Sequence, residues 1–312
     1  MTARPRIDVG VVTWNSRDVT VAALQSLMSA ASDCDIRLLV RDNGSTDGTA
    51  DAIAEAIPEA SIDGGSENLG FAAGMNTLIS RSDAPWFFVL NSDAWPEPGC
   101  LSTLVRAAEA RPRAAATVPL LLRPDGSLEH STLPFPSLRV GLMMALGAQR
   151  WFPRTGERML LEQVWAHDRP RVVDWAVGAA RLVPREAFAD IGLFDERYFM
   201  YVEDLDWCWR AHRLGWEIFF EPSAVVRHIG NVSGAQRWGD QRTAAYISNT
   251  YRFYREEHGR AAAGAFKWLN VAGILRNYVE AKAARDDELV RYWRLMLPVY
   301  MGRREQEDAR RG

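Results

Sequence analysis

Short apolar runs alternate with stretches of helical hydrophobic spacing along the first hundred residues. Three apolar runs predict buried strands, at residues 7–13, 36–40 and 86–90. Apolar positions three and four residues apart predict helices, over residues 18–31, 49–57 and 68–80. This strand–helix order is typical of an α/β fold with a mainly parallel sheet.

The pattern becomes less regular after residue 100. Helices are predicted over residues 101–110 and from the stretch Met200–Arg210 to near Gly215, and strands at 115–122, 172–183, 216–220 and 224–227. Residues 124–170 are predicted to be irregular around an apolar piece at 140–148. Beyond Gly239 the pattern is helical, interrupted at Gly259, Gly273 and Pro298. We therefore expect an α/β domain over residues 1–233 and a helical extension over 234–312.

Polar residues follow the first three predicted strands. They are Thr13-Trp14-Asn15, Asp42 with its Asn43-Gly44-Ser45-Thr46-Asp47-Gly48 loop, and Asn91-Ser92-Asp93. The carboxyl ends of parallel strands meet at one sheet edge, where ligands of open α/β sheets bind. A carboxylate there suits Mg²⁺ or Mn²⁺ held together with substrate phosphates, although these residue types also form ordinary turns.

The first two strand ends suit a pyrimidine base. A carboxylate at Asp42 can accept the imide N–H of uracil or thymine, and Trp14 offers a ring for base stacking. The alternatives are an Asx turn for Asp42 and a core aromatic for Trp14. The glycines at 64–74 lack the GxGxxG spacing and follow the second strand–helix unit, which excludes a dinucleotide-binding dehydrogenase.

A second acidic group, Glu203-Asp204-Leu205-Asp206, opens a helix after the apolar residues 199–202. Acidic residues are favoured in any first helical turn, so Glu203 and Asp206 have a structural alternative. An apolar approach, however, raises the pKa of a carboxyl and suits it to act as a base near neutral pH. His228 ends the last predicted strand and is either a structural polar residue or a neutral imidazole ligand of a divalent ion.

Net charge, cysteine spacing and the length of apolar runs limit the ligands and the cellular location that we expect for the protein. The net charge of −3 gives no general electrostatic basis for binding nucleic acid. The three cysteines are widely spaced and suit a reducing compartment rather than a disulfide framework or a zinc site. No apolar run approaches the ~20 residues that span a bilayer. We expect a cytoplasmic protein, with contact to the inner face of the cell membrane as a further expectation.

The ordered motifs resemble those of a family-2 glycosyltransferase with the GT-A fold, over roughly residues 7–233. They are Val11-Val12-Thr13-Trp14-Asn15, Asp42 to Thr49, Asn68-Leu69-Gly70-Phe71, Asn91-Ser92-Asp93, Gly192-Leu193-Phe194-Asp195-Glu196, Glu203-Asp204-Leu205-Asp206 and His228. The chain is most similar to bacterial rhamnosyltransferases that add L-rhamnose from dTDP-rhamnose to polyprenyl-diphosphate-linked N-acetylglucosamine. The resemblance therefore implies an inverting, metal-dependent transferase of cell-wall or surface-polysaccharide synthesis.

The resemblance also implies a role for each matching position. Asp204 corresponds to the catalytic base, and Asp93 and His228 to the contacts of a divalent cation, Mg²⁺ or Mn²⁺. Positions implied to shape the donor-nucleotide pocket are Thr13, Trp14, Asn15, Asp42, Asn68, Asn76, Asn91 and Ser92. Positions expected to support the acceptor side are Trp175, Gly178, Glu203 and Asp206. Because Asn91 replaces the first acid of the family's DxD motif, metal binding is expected to rest mainly on Asp93.

Several alternatives stay open at this point. The donor can be a UDP-hexose or a UDP-N-acetylhexosamine instead, and a non-catalytic sugar-nucleotide binding module has the same nucleotide motifs. A nucleotidyltransferase would ordinarily carry a Gly-rich basic phosphate loop near the first strand, which Thr13-Trp14-Asn15 does not supply. The tail from Phe266 to Arg304 mixes Trp, Leu, Tyr and Arg at helical spacing. It is expected to pack on the protein, form a homodimer contact, or meet anionic lipid together with residues 140–152.

Overall fold

A computed structural model of the chain describes residues 4–162, 164–230 and 241–302. These residues divide into two compact units. The described part of the first unit comprises residues 4–133 and 167–230, and that of the second comprises 134–162, 164–166 and 241–302. The segment from 134 to 166, which the sequence prediction placed in the α/β domain, thus joins the C-terminal helices. The predicted boundary at 233/234 lies outside the described residues.

The first unit alternates strands and helices from its start. Its elements are β1 Arg6–Thr13, α1 Arg17–Ala30, β2 Asp35–Asp42, α2 Thr49–Ala56, β3 Ser61–Gly64, α3 Gly70–Ser80, β4 Trp86–Asn91, β5 Ala94–Pro96, α4 Cys100–Glu109, β6 Ala114–Leu122 and β7 Thr132–Leu133. After the excursion into the second unit come β8 Arg171–Val173, β9 Trp175–Ala176, β10 Ala180–Pro184, α7 Arg185–Ile191, α8 Glu203–Arg213 and β11 Glu217–His228.

Nine of the eleven described strands form a mixed sheet in the order β3-β2-β1-β4-β10-β6-β11-β5, with β8 also paired to β11, and β7 pairs with β9 in a separate two-stranded sheet. The strands β3, β2, β1 and β4 are parallel to one another, while β10 runs antiparallel to β4 and β6. Most apolar residues of β1, β4 and β10 are buried, as expected for strands covered on both faces. The predicted parallel α/β sheet is confirmed for the first half of the chain.

Three parts of the sheet differ from the sequence prediction. The run at 172–183 is not one strand but three short ones, β8, β9 and β10. The two strands predicted between residues 216 and 227 are the single strand β11, which keeps its pairing with β6 through a register shift between Glu221 and Val225. The short strands β3 and β5 were not predicted, because four and three residues carry too little periodic signal.

The second unit is helical. Its described elements are α5 Leu138–Leu146, a 3₁₀ turn at Ala148–Arg150, α6 Pro153–Arg158, α9 Gln241–Ala283 and α10 Asp287–Tyr300. The Ser137 side chain accepts the Val140 N–H at the start of α5, and Gly147 ends that helix with a φ of 63°. The α10 helix begins at a similar cap, where Asp286 accepts the Leu289 N–H. Among the described residues, no helix is both long enough and apolar enough to cross a membrane.

A break at Gly259 divides α9, as the sequence predicted. Gly259 has φ 80° and ψ 169°, and the ring of Tyr254 before it stacks on that of Phe266 after it, with centroids 4.4 Å apart. Twelve residues of straight helix would span about 18 Å, so the chain turns sharply at the glycine. Gly273, by contrast, lies within continuous helix, and its missing side chain lets Ala145 of α5 approach.

Candidate active site

Polar residues at three strand ends meet at one edge of the sheet. The register of the parallel pairs places Thr13 beside Asp42 and Val12 beside Asn91. All three ends therefore face the same edge, as the sequence predicted. The run Asn91-Ser92-Asp93 ends β4 and turns the chain into β5, where Ala94 pairs with His228 in the β5–β11 ladder.

Asp42 has an open oxygen suited to a nucleotide base. The carboxylate is buried, and its Oδ1 accepts the Ser45 N–H at 2.7 Å. Its Oδ2 has no hydrogen-bond partner in the described part of the chain. A buried acceptor without a partner costs free energy unless a ligand supplies the donor. Trp14, in the adjoining loop, is partly exposed.

Asparagines connect the loops around this corner. Asn15, with φ 46°, donates its N–H to Ser45 Oγ at 2.8 Å and accepts the Thr46 N–H at 2.8 Å. Asn68 accepts the Gly70 N–H at 3.0 Å and lies 3.3 Å from the amide of Asn43. The predicted nucleotide-pocket residues Asn15 and Asn68 thus lie at this corner and fix its backbone.

The side chains of two other predicted pocket residues form hydrogen bonds within the protein. The Thr13 hydroxyl lies within 2.9 Å of Ser16 Oγ and 3.0 Å of Thr20 Oγ1, in a buried hydroxyl cluster beneath α1. Asn76 donates to the Phe194 carbonyl at 2.8 Å and accepts the Phe194 N–H at 3.0 Å. These bonds hold α3 against the loop before α8, so any contribution of Asn76 to the nucleotide pocket stays a prediction.

Asp93 and His228 converge at the end of the β5–β11 ladder. Asp93 Oδ1 is 3.2 Å from His228 Nε2, and the amide nitrogen of Asn91 is 3.3 Å from the same ring nitrogen. Adjacent ligands of an octahedral ion with bonds of about 2.1 Å lie about 3 Å apart, so this pair fits one divalent cation. Ser92 is buried beside them. Within the described ranges no three His, Cys, Asp or Glu side chains form a metal site, so the remaining ligands would be diphosphate and water oxygens.

Glu129 was not predicted from the sequence, although it contacts His228 directly. Its two oxygens lie 3.1 and 3.0 Å from His228 Nδ1. Because a carboxylate only accepts, Nδ1–H donates to Glu129 and, in the protonated ring, Nε2–H donates to Asp93. A divalent cation would replace the Nε2 proton and leave Nδ1–H directed at Glu129. Burial disfavours the imidazolium, but the bonds to Asp93 and Glu129 outweigh it and raise the pKa of His228 to about 9. The only signal for Glu129 in the sequence was its acidic side chain within a segment predicted to be irregular.

Asp204 is oriented by two backbone donors at the start of α8. Its Oδ2 accepts the Gly178 N–H at 2.8 Å and its Oδ1 accepts the Leu205 N–H at 2.8 Å. The predicted supporting residue Gly178 therefore contacts the predicted base. Burial is the larger influence on Asp204 and raises its pKa despite the nearby Arg181 guanidinium. A carboxylate fixed in this way, with a raised pKa, can accept a proton near neutral pH.

Arg181 and Glu203 complete this buried acidic group. Arg181 is fully buried in β10 and places its guanidinium 3.9 Å from Asp204 Oδ2 while donating to the Ala176 carbonyl at 2.8 Å. Glu203 Oε2 has no hydrogen-bond partner among the described residues. Burial and then the charge of Asp204 raise the pKa of Glu203, so it holds a proton more readily than an ordinary glutamate. The sequence analysis did not identify Arg181 as a site residue. Its single charge within an otherwise apolar strand was the signal that could have indicated it.

The other two predicted acceptor-side residues, Asp206 and Trp175, have contacts that stabilise the fold. Asp206 accepts from Arg210 Nε at 2.8 Å, and Arg210 in turn donates to the carbonyls of Ile191 and Leu193. The side chain of Trp175 is buried in β9. Asp206 thus positions the loop before α8, which is the structural alternative that the sequence left open for it.

Two successive residues join the predicted base, Asp204, to the strand end that precedes the predicted metal contact, Asp93. Gly178 donates its N–H to Asp204, and Ala179 accepts the N–H of Asn91 at 2.9 Å. The proposed base and the Asn91-Ser92-Asp93 segment are therefore anchored to the same short piece of backbone before β10. Tyr201 and Val202, just before α8, have φ values of 68° and 80°, which are strained for residues other than glycine and are typical of functional sites.

Comparisons with known proteins identify relatives of this chain. Residues 8–163 match the family described as Glycosyl transferase family 2. The chain is 35% identical over 270 residues, covering 82% of this chain and 87% of the relative, to N-acetylglucosaminyl-diphospho-decaprenol L-rhamnosyltransferase of Mycobacterium tuberculosis (strain H37Rv). It is 27% identical over 177 residues, covering 54% of this chain and 63% of the relative, to Rhamnosyltransferase WbbL of Escherichia coli (strain K12).

A solved structure supports the fold. The mannosyltransferase PcManGT from Pyrobaculum calidifontis, in complex with GDP-Man and Mn²⁺, matches with a TM-score of 0.60 at 18% identity, over 96% of this chain and 85% of that one. The expected GT-A architecture is thus confirmed. Together with the sequence matches, this similarity shows that the chain belongs to glycosyl transferase family 2 and is a glycosyltransferase.

Proposed function

We propose that this glycosyltransferase moves L-rhamnose from dTDP-rhamnose to a hydroxyl of a polyprenyl-diphosphate-linked glycan, with inversion, in cell-wall or surface-polysaccharide synthesis. The observation that carries the reaction type is the anchoring of Asp204 and Asn91 to the successive residues Gly178 and Ala179. It ties an oriented carboxylate to the strand end that carries Asp93. The donor and the acceptor are supported by the names of the mycobacterial and Escherichia coli relatives.

In this proposal Asp204 acts as the general base. It takes the proton of the acceptor hydroxyl while the hydroxyl oxygen bonds to the anomeric carbon, and the bond from that carbon to the nucleotide diphosphate breaks. Attack from the face opposite the leaving group inverts the anomeric configuration. The Gly178 and Leu205 N–H groups orient the carboxylate, and Arg181 supplies a positive charge that favours its ionised form.

Asp93 and His228 would hold a divalent cation, Mg²⁺ or Mn²⁺, in this proposal. Their donor atoms lie at the separation of adjacent ligands, and the fold relative PcManGT was solved with Mn²⁺. A bound cation neutralises the charge that develops on the departing diphosphate. Glu129 keeps the Nε2 of His228 directed toward that position.

The open Oδ2 of Asp42 would accept the imide N–H of the donor's base, with Trp14 stacking on its ring. Thymine and uracil both carry this N–H. A UDP-hexose or UDP-N-acetylhexosamine is therefore the second candidate donor, and this corner of the site does not distinguish it from dTDP-rhamnose.

We also propose that the protein works on the cytoplasmic side of the membrane, in peripheral contact with it. A lipid-linked acceptor requires access to a bilayer surface. The free, buried cysteines Cys34, Cys100 and Cys208 suit a reducing compartment. A homodimer through the helical unit is the competing use of an exposed apolar surface.

Thermal shift and donor hydrolysis across dTDP-rhamnose, UDP-glucose, UDP-galactose, UDP-N-acetylglucosamine and GDP-mannose test the donor, each with and without Mn²⁺ or Mg²⁺. We expect metal-dependent stabilisation and turnover with dTDP-rhamnose above all others. A preference for a UDP-sugar would replace the rhamnosyl donor while keeping the base and the metal contacts. No response to any nucleotide sugar would contradict the proposed site itself.

A further inference from the structure

Residues 138–158 of the helical unit, which we call the α5–α6 ridge, present large apolar side chains to solvent. Trp151 is 80% exposed, Leu146 64% and Phe152 61%. Leu142, one helical turn before Leu146, is 49% exposed and lies on the same face of α5. Single exposed apolar residues are common, but two adjacent exposed aromatics beside a leucine pair form a contiguous patch of the kind that marks an interaction site.

The ridge is held firmly by the rest of its own unit. Gly141 of α5 packs against Leu269 and Phe266 of α9, where an added Cβ would lie 3.5 Å from both. Arg276 of α9 donates to the Met144 carbonyl at 2.8 Å and to the Ala145 carbonyl at 3.2 Å, which satisfies the end of α5. The buried face of α5 is thus fully used by the fold, and its opposite face is presented to solvent.

Positive charge surrounds the exposed apolar residues. The ridge contains four arginines and one glutamate, in a chain whose net charge is −3. Arg150 pairs with Glu280 of α9 at 3.3 Å. Arg139, Arg154 and Arg158 are exposed and make no ion pair with any described residue. Guanidinium groups without an ion-pair partner among the described residues, next to exposed tryptophan and phenylalanine, are complementary to a surface that offers phosphate groups over hydrocarbon.

The second half of α9 also presents large apolar side chains to solvent. Trp268, Leu275 and Val279 are 60%, 45% and 62% exposed, and their spacing of seven and four residues puts them on one face of the helix. A cavity of about 330 Å³ opens where the two elements meet, between Leu146, Arg150, Trp151 and Glu280. The exposed apolar surface therefore extends from the α5–α6 ridge onto α9.

We propose that the α5–α6 ridge is a docking surface for an anionic lipid bilayer, with Leu146, Trp151 and Phe152 entering the interfacial region and Arg139, Arg154 and Arg158 meeting lipid phosphates. This inference rests on the proposed lipid-linked acceptor for its biological setting, but its structural basis is independent of the donor site. It assigns the proposed peripheral contact to one segment of the chain. The helices lie along the surface and do not span it.

A second copy of this chain is a less suitable occupant. Symmetric dimers use the same patch on both subunits, so residues of the ridge would face each other across a two-fold axis. Arg139, Arg154 and Arg158 of each copy would then be brought near their own counterparts, with one glutamate per ridge to offset them. Like charges facing each other in this way disfavour association.

Vesicle co-sedimentation of the full chain tests this inference, using phosphatidylcholine vesicles with and without phosphatidylglycerol. We expect binding that requires the anionic lipid and weakens with added salt. Exchanging both aromatics in W151A/F152A should reduce partitioning at least tenfold. In R154Q/R158Q we expect roughly fivefold weakening per arginine, which corresponds to about 1 kcal/mol each.

Two matched controls make the result specific. R106Q/R185Q changes the net charge equally at exposed positions of the α/β unit, and L214A removes an exposed apolar side chain there. Both should bind vesicles like the parent. Absence of binding by the parent chain, or equal binding by the ridge variants, would overturn the proposal. Dissociation of a dimer by W151A/F152A, without vesicle binding, would identify the ridge as a subunit interface instead.

Stabilisation by dTDP-rhamnose is measured on the same samples. The ridge variants should retain it, because the nucleotide corner lies in the other unit. Loss of vesicle binding with donor binding intact concerns the ridge alone, whereas vesicle binding without any donor response would contradict the proposed donor and leave the ridge standing.

Discussion

Asp204 is a residue whose surroundings suit one chemical task. Both of its oxygens accept backbone N–H groups, so its direction is fixed independently of the substrate. The substitution Asp204→Asn should keep the fold and lower kcat by about 10²–10⁴, because an amide cannot accept the acceptor's proton. Steady-state kinetics with thermal unfolding in parallel measure this. Asp206→Asn, which changes the neighbouring carboxylate paired with Arg210, is the control. A loss below tenfold in Asp204→Asn would assign the base elsewhere.

In the proposed site, Glu129 acts through His228, which it contacts, rather than on the substrate. The substitution Glu129→Gln replaces the carboxylate with a neutral amide, which favours the Nδ1–H form of the imidazole less strongly. We expect Mn²⁺ affinity to fall by about 10- to 100-fold, the usual effect of losing a carboxylate that orients a metal-bound histidine. Titration of Mn²⁺ by electron paramagnetic resonance measures the affinity without turnover.

The control for Glu129 lies on a neighbouring strand end. Glu97 pairs with Arg227 at 2.8 Å, one residue before His228, and does not contact the imidazole. Glu97→Gln should therefore leave Mn²⁺ affinity unchanged. Equal weakening in both variants would show that Glu129 has a general electrostatic effect and no specific role in orienting His228.

At the scale of elements, Gly70 couples α3 to the segment before α8. Its φ is 81°, and an added Cβ would lie 2.2 Å from the Phe199 carbonyl oxygen, which also accepts the Phe71 N–H. Gly70→Ala should cost about 3 kcal/mol of unfolding free energy, from the left-handed backbone and from this clash. It should also reduce activity, because Phe199 precedes the strained Tyr201–Val202 pair and Asp204.

Gly48 provides a matched control for Gly70. Its φ is 80°, but no atom lies within 4 Å of an added Cβ. Gly48→Ala should therefore show the backbone cost alone, about 1–2 kcal/mol. Urea unfolding of both variants measures the difference. Equal losses of unfolding free energy in the two variants would mean that Phe199 moves away from the added methyl group without cost. The coupling between α3 and the segment before α8 would then be weak.

The pairing of β1 with β2 predicts a pH dependence. Asp8 lies fully buried opposite Arg37, whose Nε and second guanidinium nitrogen are 2.9 and 2.6 Å from its carboxylate. Burial alone would raise the pKa of Asp8, but the bonds from Arg37 and Ser82 outweigh it and lower the pKa. The stabilisation is thus present above the unfolded value of about 3.9 and is lost as the pH falls through the lower folded value.

Asp8→Asn should accordingly reduce stability at pH 7 by about 1–3 kcal/mol. The difference from the parent chain should shrink as the pH falls below about 4, where the carboxyl of the unfolded chain takes up a proton, and vanish below the lower folded pKa. Denaturant unfolding over this pH range measures it. The exposed pair Arg17–Asp18 is the control, and Asp18→Asn should change little at any pH.

At the scale of the whole molecule, ligand binding should raise stability by mass action. A nucleotide at one hundred times its dissociation constant adds about 2.7 kcal/mol to the free energy of unfolding. Asp42→Asn keeps an oxygen for the Ser45 N–H but turns the open acceptor into a donor. We expect it to weaken dTDP binding by about 10- to 100-fold, the effect of losing a hydrogen bond to a charged group. Calorimetric titration with dTDP measures this, and unchanged affinity would move the base site away from Asp42.

The sequence alone determined the α/β class, the three polar strand ends and the order of Asp93, Asp204 and His228. These follow from short-range patterns, since a buried strand and the residue that ends it are adjacent in the chain. The break at Gly259 was equally local, because glycine readily adopts a positive φ.

Only the tertiary structure decided which distant side chains meet. Glu129 lies 99 residues from His228, and Asn76 lies 118 residues from Phe194, so no periodic pattern links either pair. Arg181 could be seen as a charge in an apolar strand, but its partner Asp204 could not. The joining of residues 134–166 to the C-terminal helices was likewise decided by packing, since α5 buries its glycine face against α9. Contacts of this kind depend on how whole elements pack, which local propensities do not encode.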